Sequence, residues 1–309
     1  MNASSIRAVF GESADPPMFV TDNDDLCDWL VSRELDAQMF AGFDGPRPAG
    51  VVFIPTCWED LPRPAALRER FRGTQVLWVP LAAFDARPDA AIYSLDLLLR
   101  SDFGTAVANN RVVMMKLLAA KKGMEFHSGG THLSFTLEDD VYVNSRTRLA
   151  LAPAEHASIG AYFEVELGAN WVEQEETFHV NGEMCIQGAL ASHHREMPPE
   201  LSGKVARADE LLADLRTRLP LTVRIEDSRV VPGAFGDLDS LMRELTNPIY
   251  DGLLTELAFG TNTSINPHVD WSRNSQFNEG MGGVHIALGD GLSGVHFDFV
   301  CPDGELTPV

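Results

Sequence analysis

Basic side chains are scarce in this chain. Only 24 Lys and Arg stand against 45 Asp and Glu in 309 residues, a formal net charge of −21. A field of that sign repels the phosphates that dominate nucleic-acid affinity, so DNA and RNA are not expected as partners. No run of 18 or more apolar residues occurs, and Met1 to Phe10 lack the basic start and continuous apolar core of a secretory signal. The expectation is a soluble, cytoplasmic protein with no membrane partner. Cysteine is sparse as well: Cys27, Cys57, Cys185 and Cys301 stand far apart with no CxxC pair, which reads as four reduced thiols without a structural zinc or redox role. There is no GxGxxG, Walker loop, GxSxG or HExxH, so nucleotide binding, serine hydrolysis and zincin chemistry have no foothold.

Apolar residues make up 45% of the chain and charged residues 22%, enough for real cores, and 309 residues suit two cores better than one. The first third alternates apolar runs with amphipathic segments. Val51 to Pro55 and Gln75 to Pro80 read as buried strands. Leu67 to Phe71, Ile92 to Leu99 and Val112 to Lys122 read as helices, the last stopped by Lys121-Lys122-Gly123. From Gly129-Gly130-Thr131 the texture changes to short β-like runs, among them His132 to Leu137 and Val141 to Val143. Farther on, Asp209 to Leu219 and Gly236 to Leu245 read as helices and Leu221 to Glu226 as a strand. These patterns predict an α/β protein of two domains: residues 1–125 with a parallel sheet and helices, and residues 126–309 with a mixed sheet.

The densest chemical signal lies near the C-terminus. Gly283 to Leu288 and Gly294 to Val300 are apolar runs joined by Gly289-Asp290-Gly291-Leu292-Ser293, a hairpin pattern. Alternate strand residues share a face, so His296 and Asp298 point the same way, with His285 at a corresponding depth on the neighbouring strand. Imidazole with carboxylate suits zinc, manganese, cobalt or iron. Upstream, Glu256 sits inside the apolar run Leu254 to Phe259, where a lone acid calls for a cation or a positive partner. Glu183 follows a turn at Asn181-Gly182.

In this order, Thr255-Glu256-Leu257-Ala258-Phe259-Gly260-Thr261-Asn262, Gly282 to Gly289 and Val295 to Val300 resemble the C-terminal signature of the M29 aminopeptidase (aminopeptidase T) family, in its short form. Asn181-Gly182-Glu183, Leu221 to Val231 and Gly129 to Phe135 are similar to further family motifs, so the likeness runs over roughly residues 125 to 309. The resemblance implies a co-catalytic pair of divalent metals, zinc, cobalt or manganese, held by Glu183, Glu256, His285, His296 and Asp298. It implies a peptide substrate and a homodimer. Glu279, in Asn278-Glu279-Gly280, or one of the ligating glutamates Glu183 and Glu256, would act as general base.

Two departures bear on the activity. Leu292 occupies the place of a tyrosine found in longer peptidase members, and the loop between the histidine strands is short. They leave open a protein that binds a peptide without cutting it, recruited to the maturation of a ribosomally made peptide natural product. A single-iron, ring-cleaving dioxygenase is a third reading of His-x-Asp. His268 and Asp270, in Asn266 to Asp270, and His193, in His193-His194-Arg195, are candidate substrate contacts. Glu173 to Glu176 reads as a solvated acidic stretch.

Overall fold

A computed structural model describes residues 3–11, 15–43, 50–119, 123–168 and 176–309. Lys121, Lys122 and Glu173 to Glu175, named above as a helix stop and an acidic stretch, lie outside the described residues.

The chain begins with α1 (Ala3–Phe10), β1 (Met18–Thr21), α2 (Asp24–Ser32), β2 (Ala37–Met39), β3 (Val51–Ile54), α3 (Pro64–Arg70), β4 (Val76–Trp78), α4 (Pro88–Arg100) and α5 (Phe103–Ala119). Prolines open α3 and α4, where a missing N–H costs nothing. β1 and β3 are buried along their whole length, as strands covered on both faces must be. Phe19, Val52, Ile54 and Leu77 pack under α1, α2, α4 and α5, while Met18, Val20, Phe53 and Val76 face a cluster around Phe40, Phe43 and Phe71.

The remaining elements are β5 (Met124–Ser128), β6 (Thr131–Leu137), β7 (Val143–Asn144), β8 (His156–Ser158), α6 (Gly160–Phe163), β9 (Glu164–Leu167), β10 (Phe178–Ile186), β11 (Gly188–Ser192), α7 (Ser202–Thr217), β12 (Leu221–Glu226), β13 (Arg229–Val230), α8 (Asp239–Leu245), β14 (Leu254–Gly260), α9 (Gln276–Glu279), β15 (Gly283–Leu288), β16 (His296–Pro302) and β17 (Glu305–Pro308). The first sheet runs β2-β1-β3-β4-β8 and is parallel. Its last strand comes from residues 156–158, so the chain returns to the first sheet well after residue 125.

The α/β class is as the sequence indicates. The strands of the C-terminal part, however, divide between two antiparallel sheets, β13-β12-β10-β6-β5-β17 and β11-β16-β15-β14-β9-β7, instead of forming one mixed sheet. Adjacent strands here include the hairpins β5–β6 and β15–β16, and short connections leave no room for the crossover that parallel pairing demands. The two sheets share a core. Leu133, Phe135, Val180 and Met184 from one pack with Leu257, Phe259, Ile286, Phe297 and Phe299 from the other. The outer face of the first of these sheets meets solvent, as the in-out alternation of β6 shows. The other sheet is buried on both faces, and its far face carries the polar side chains described next.

Backbone approach is tightest at Gly260. A Cβ there would overlap the Met281 carbonyl, which must pass close so that the amides of Thr261 and Asn262 can donate to Gly280 O at 3.1 and 2.9 Å. Gly260→Ala is therefore expected to lower the melting temperature sharply or abolish soluble expression. Gly203→Ala, in α7 with nothing near its Cβ, should leave it unchanged or raise it by a few degrees. Thermal denaturation of the two variants side by side checks this.

Candidate metal centre

Four of the five residues expected as ligands converge on the far face of the β14–β15–β16 sheet. Asp298 pairs with Ala287 and His285 with Val300, so His285 and Asp298 are diagonal neighbours, and His296 lies two residues before Asp298 on the same face. Glu256 reaches that face through an irregularity. The pairing register shifts between Leu254 and Glu256, so Leu254 stays in the apolar core while Glu256, two residues on, turns to the opposite side. Thr255, the extra residue, donates its hydroxyl to Gly289 O at 2.6 Å. Ala258, Gly260, Gly283 and Ala287 are the other residues on this face of β14 and β15, and their small size leaves room above the strands.

The Glu256 carboxylate is shared. Its Oε1 lies 3.1 Å from His285 Nε2 and its Oε2 lies 3.3 Å from His296 Nε2, which is also 3.0 Å from Asp298 Oδ1. Two groups of metal-type donors result, Glu164–Glu256–His285 and Glu256–His296–Asp298, with Glu256 common to both. His296 Nδ1 lies 2.8 Å from Gly289 O, and a carbonyl can only accept, so Nδ1 carries a hydrogen and Nε2 is the atom turned to the acids. An N–H donated to a backbone carbonyl is the usual support of a metal-bound histidine.

Glu183 does not join this group. It is exposed on β10, in the other antiparallel sheet, between His132 and Arg224 in register. Glu164 stands in the place that Glu183 was expected to fill, with Oε2 3.6 Å from His285 Nε2. Sequence reasoning passed over Glu164 and its neighbour Glu166, although Phe163-Glu164-Val165-Glu166-Leu167 alternates acid and apolar residues as a strand with one polar face would. Gly160 makes the room: a Cβ there would come within 2.6 Å of Glu164 Oε1. Glu166 accepts from Asn144 Nδ2 at 2.8 Å. Glu279 is buried at the end of α9, which packs against α4, α6 and β11. The buried Asn278 amide holds the approach to it by donating to Asp270 O and Arg273 O and accepting from the Tyr93 hydroxyl.

The remaining expected contacts lie outside the cluster. His268 and Asp270 are exposed, and Asp270 is occupied by Ser272, whose amide and hydroxyl it accepts at 2.9 and 2.7 Å. His193 is half-buried and borders a cavity of about 660 Å³ with Trp58, Met197 and Val205, beginning one residue beyond Ser192, the partner of His296 in the sheet.

The electrostatics set the chemistry. Five carboxyl groups (Glu164, Glu166, Glu256, Glu279 and Asp298) share the space with two imidazoles. Burial pushes Glu164 up to about 8, against the pull of His285, and with the help of Glu256 it pushes Glu166 up to about 7. Glu279 is raised well above the ordinary range by burial, with Asp298 and Glu164 adding to it. Burial would also raise Glu256, but hydrogen bonds from His285 and His296 overcome it and hold that carboxyl below the usual range. Neighbouring acids reverse the effect of burial on the imidazoles: Glu256 lifts His285 to about 9, and Asp298, with Glu256, lifts His296 well above its usual value. Protons thus offset the surplus negative charge where cations would. Buried Glu164 Oε2 and Asp298 Oδ2 have no hydrogen-bond partner among the described residues, as expected of oxygens shaped for a cation. The donor set fits divalent metals with mixed oxygen and imidazole preference. Side-chain exposure within the two triads is greatest at Glu256 and His296, at 16% and 18%, which marks the side from which a ligand would approach.

The fold and site define an α/β protein with a buried, doubly shared carboxylate and imidazole centre. The chain belongs to the family described as crocagin biosynthetic protein CgnE/B, which matches residues 14–308. Among solved structures it is similar to wild-type AmpT from Thermus thermophilus, at 13% identity and a TM-score of 0.44 over 98% of this chain and 92% of that one. No curated protein matches. Among the described residues no helix is long and apolar enough to cross a membrane.

Without metal, the raised groups make stability depend on pH. A raised folded-state value contributes stability that is complete below the unfolded value and lost as pH climbs through the folded one. For Glu166 and Glu164 that window runs from 4.5 to about 7 and about 8, and for His285 from 6.5 to about 9. The lowered Glu256 loses its contribution only in acid. The melting temperature of chelator-treated protein should therefore fall steadily from about pH 5 to pH 9. Saturating zinc or manganese, which displaces these protons, should flatten the slope. An unchanged melting temperature across that range would contradict the charge balance described.

Proposed function

We propose that this protein binds two divalent metal ions and uses them on a peptide in crocagin-type biosynthesis, cleaving an amide in the manner of an aminopeptidase. The observation that carries this reading is the Glu256 carboxylate, shared by Glu164–Glu256–His285 and Glu256–His296–Asp298. A carboxylate common to two donor sets suits a metal pair about 3.5 to 4 Å apart, in which one ion polarises a carbonyl and the other activates water. The family's description supports a biosynthetic setting. The sequence resemblance supports the peptide substrate and a homodimer.

Glu279 is the residue for proton transfer. It is buried, it is influenced by Asp298, Glu164 and Glu256, and its raised value puts a protonatable carboxyl beside the centre at neutral pH. Leu292, a side chain that offers no hydrogen-bond donor in the loop beside His296, favours a second reading. There the same centre holds a peptide through the metals without cleaving it.

Metal content decides the first step. Protein dialysed against a weak chelator should retain about two zinc, cobalt or manganese ions per chain by inductively coupled plasma mass spectrometry. Glu256→Gln should lose both. Glu164→Gln and Asp298→Asn should each lose about one, and Glu183→Ala none of the pair. One iron instead would redirect the search to ring-cleaving oxygenation, and no metal at all would defeat the proposal.

Activity decides the second step. If the loaded protein releases residues from short peptides, Glu279→Gln should slow turnover by roughly 10²-fold while keeping both ions. Saturable peptide binding that depends on metal, with no cleavage, would establish the second reading in its place.

A further inference from the structure

The solvent face of the β13–β17 sheet carries a row of polar side chains that the buried centre does not use. His127 of β5 is directly opposite His132 of β6, and Glu183 of β10 is opposite His132 on its other side. Arg224 of β12 pairs with Glu183, and Glu305 of β17 pairs with His127. Directly paired residues of antiparallel strands share a face, so the whole row projects outward. Glu125 lies two residues before His127 and therefore on the same face.

Within this row three side chains already touch. The His127 and His132 rings stack with centroids 4.5 Å apart and planes 19° from parallel. The Glu125 carboxylate spans both, with Oε2 3.0 Å from His127 Nε2 and Oε1 3.8 Å from His132 Nε2. One donor atom from each residue lies within 4.8 Å of the others. The backbone beneath is set by the β5–β6 ladder and its Gly129-Gly130 turn, whereas the imidazole side chains, 48% and 62% exposed, are free to turn. Ligand bonds of about 2.0 to 2.2 Å require the donor atoms to close to roughly 3.5 Å, within reach of small side-chain rotations.

We propose that Glu125, His127 and His132 form a second metal site, on the surface and independent of the buried centre, that takes a zinc-like divalent ion. Two imidazoles and one carboxylate select zinc, copper(II) or nickel over magnesium and calcium, which take oxygen donors. Three protein donors leave a coordination position for water or for a donor from another molecule. Glu183 and Glu305 border the row and add negative charge. The nearest cation in it, Arg224, is engaged by Glu226 at 2.5 Å.

The test uses the full chain, stripped with chelator and titrated calorimetrically with zinc alone. A class of one ion per chain is expected whose affinity falls at least tenfold in His127→Ala and in His132→Ala, and by less in Glu183→Gln. Both imidazoles are exposed, so circular dichroism of these variants should match the wild type. With copper(II), electron paramagnetic resonance should show two coordinated nitrogens in the wild type and one in either variant. Isotherms of the two histidine variants that superimpose on the wild type overturn the proposal. So does a surface class that disappears only in Glu256→Gln, which would assign every ion to the buried centre.

Discussion

The Glu256 carboxylate bridges the imidazoles of His285 and His296, and much of the surrounding architecture serves to bring those three groups together out of water. A charged carboxyl inside an apolar strand is costly unless it is compensated. Here the compensation comes from two strands at once, because the register shift at Thr255 turns Glu256 toward the face on which His285, His296 and Asp298 project. The Thr255 hydroxyl and His296 Nδ1 both donate to the Gly289 carbonyl, so the bulge and the His296 ring are tied to one atom.

Around that bridge the sheet separates its two chemistries. The face toward β6 and β10 is filled by Leu257, Phe259, Ile286, Phe297 and Phe299, which gives the strands a rigid apolar backing. The opposite face holds four carboxyl groups and two imidazoles, with Glu279 of α9 as a fifth carboxyl beside them, at a depth where charge is poorly solvated. Protons retained by Glu164, Glu166 and Glu279 answer that imbalance, and divalent cations, if bound, would answer the same one.

The hairpin with His285, His296 and Asp298 was legible in the sequence, because strand alternation has a period of two and both runs are apolar enough to leave no doubt about their faces. Glu256 was legible as an anomaly, an acid within an apolar run. Glu164 and Glu183 show where that reasoning stops. Both lie on strands, near apolar residues, and nothing in a local pattern tells which sheet a strand will join. Glu183 lies on a sheet whose outer face meets solvent, and Glu164 on one buried on both faces. The same gap separates the expected mixed sheet from the two antiparallel ones.

By itself, then, the sequence determined the acidic surface, the alternation of elements in the first third, the C-terminal hairpin and the faces of its residues. All of these depend on interactions between residues close in the chain or on simple composition. Tertiary structure alone decided that β8 returns to the first sheet, that β9 delivers Glu164 and Glu166 beside β14, and that Glu183 lines up with His132 across β10 and β6. Strand partners far apart in sequence are chosen by which apolar faces can be buried together, and that choice is made by the whole core.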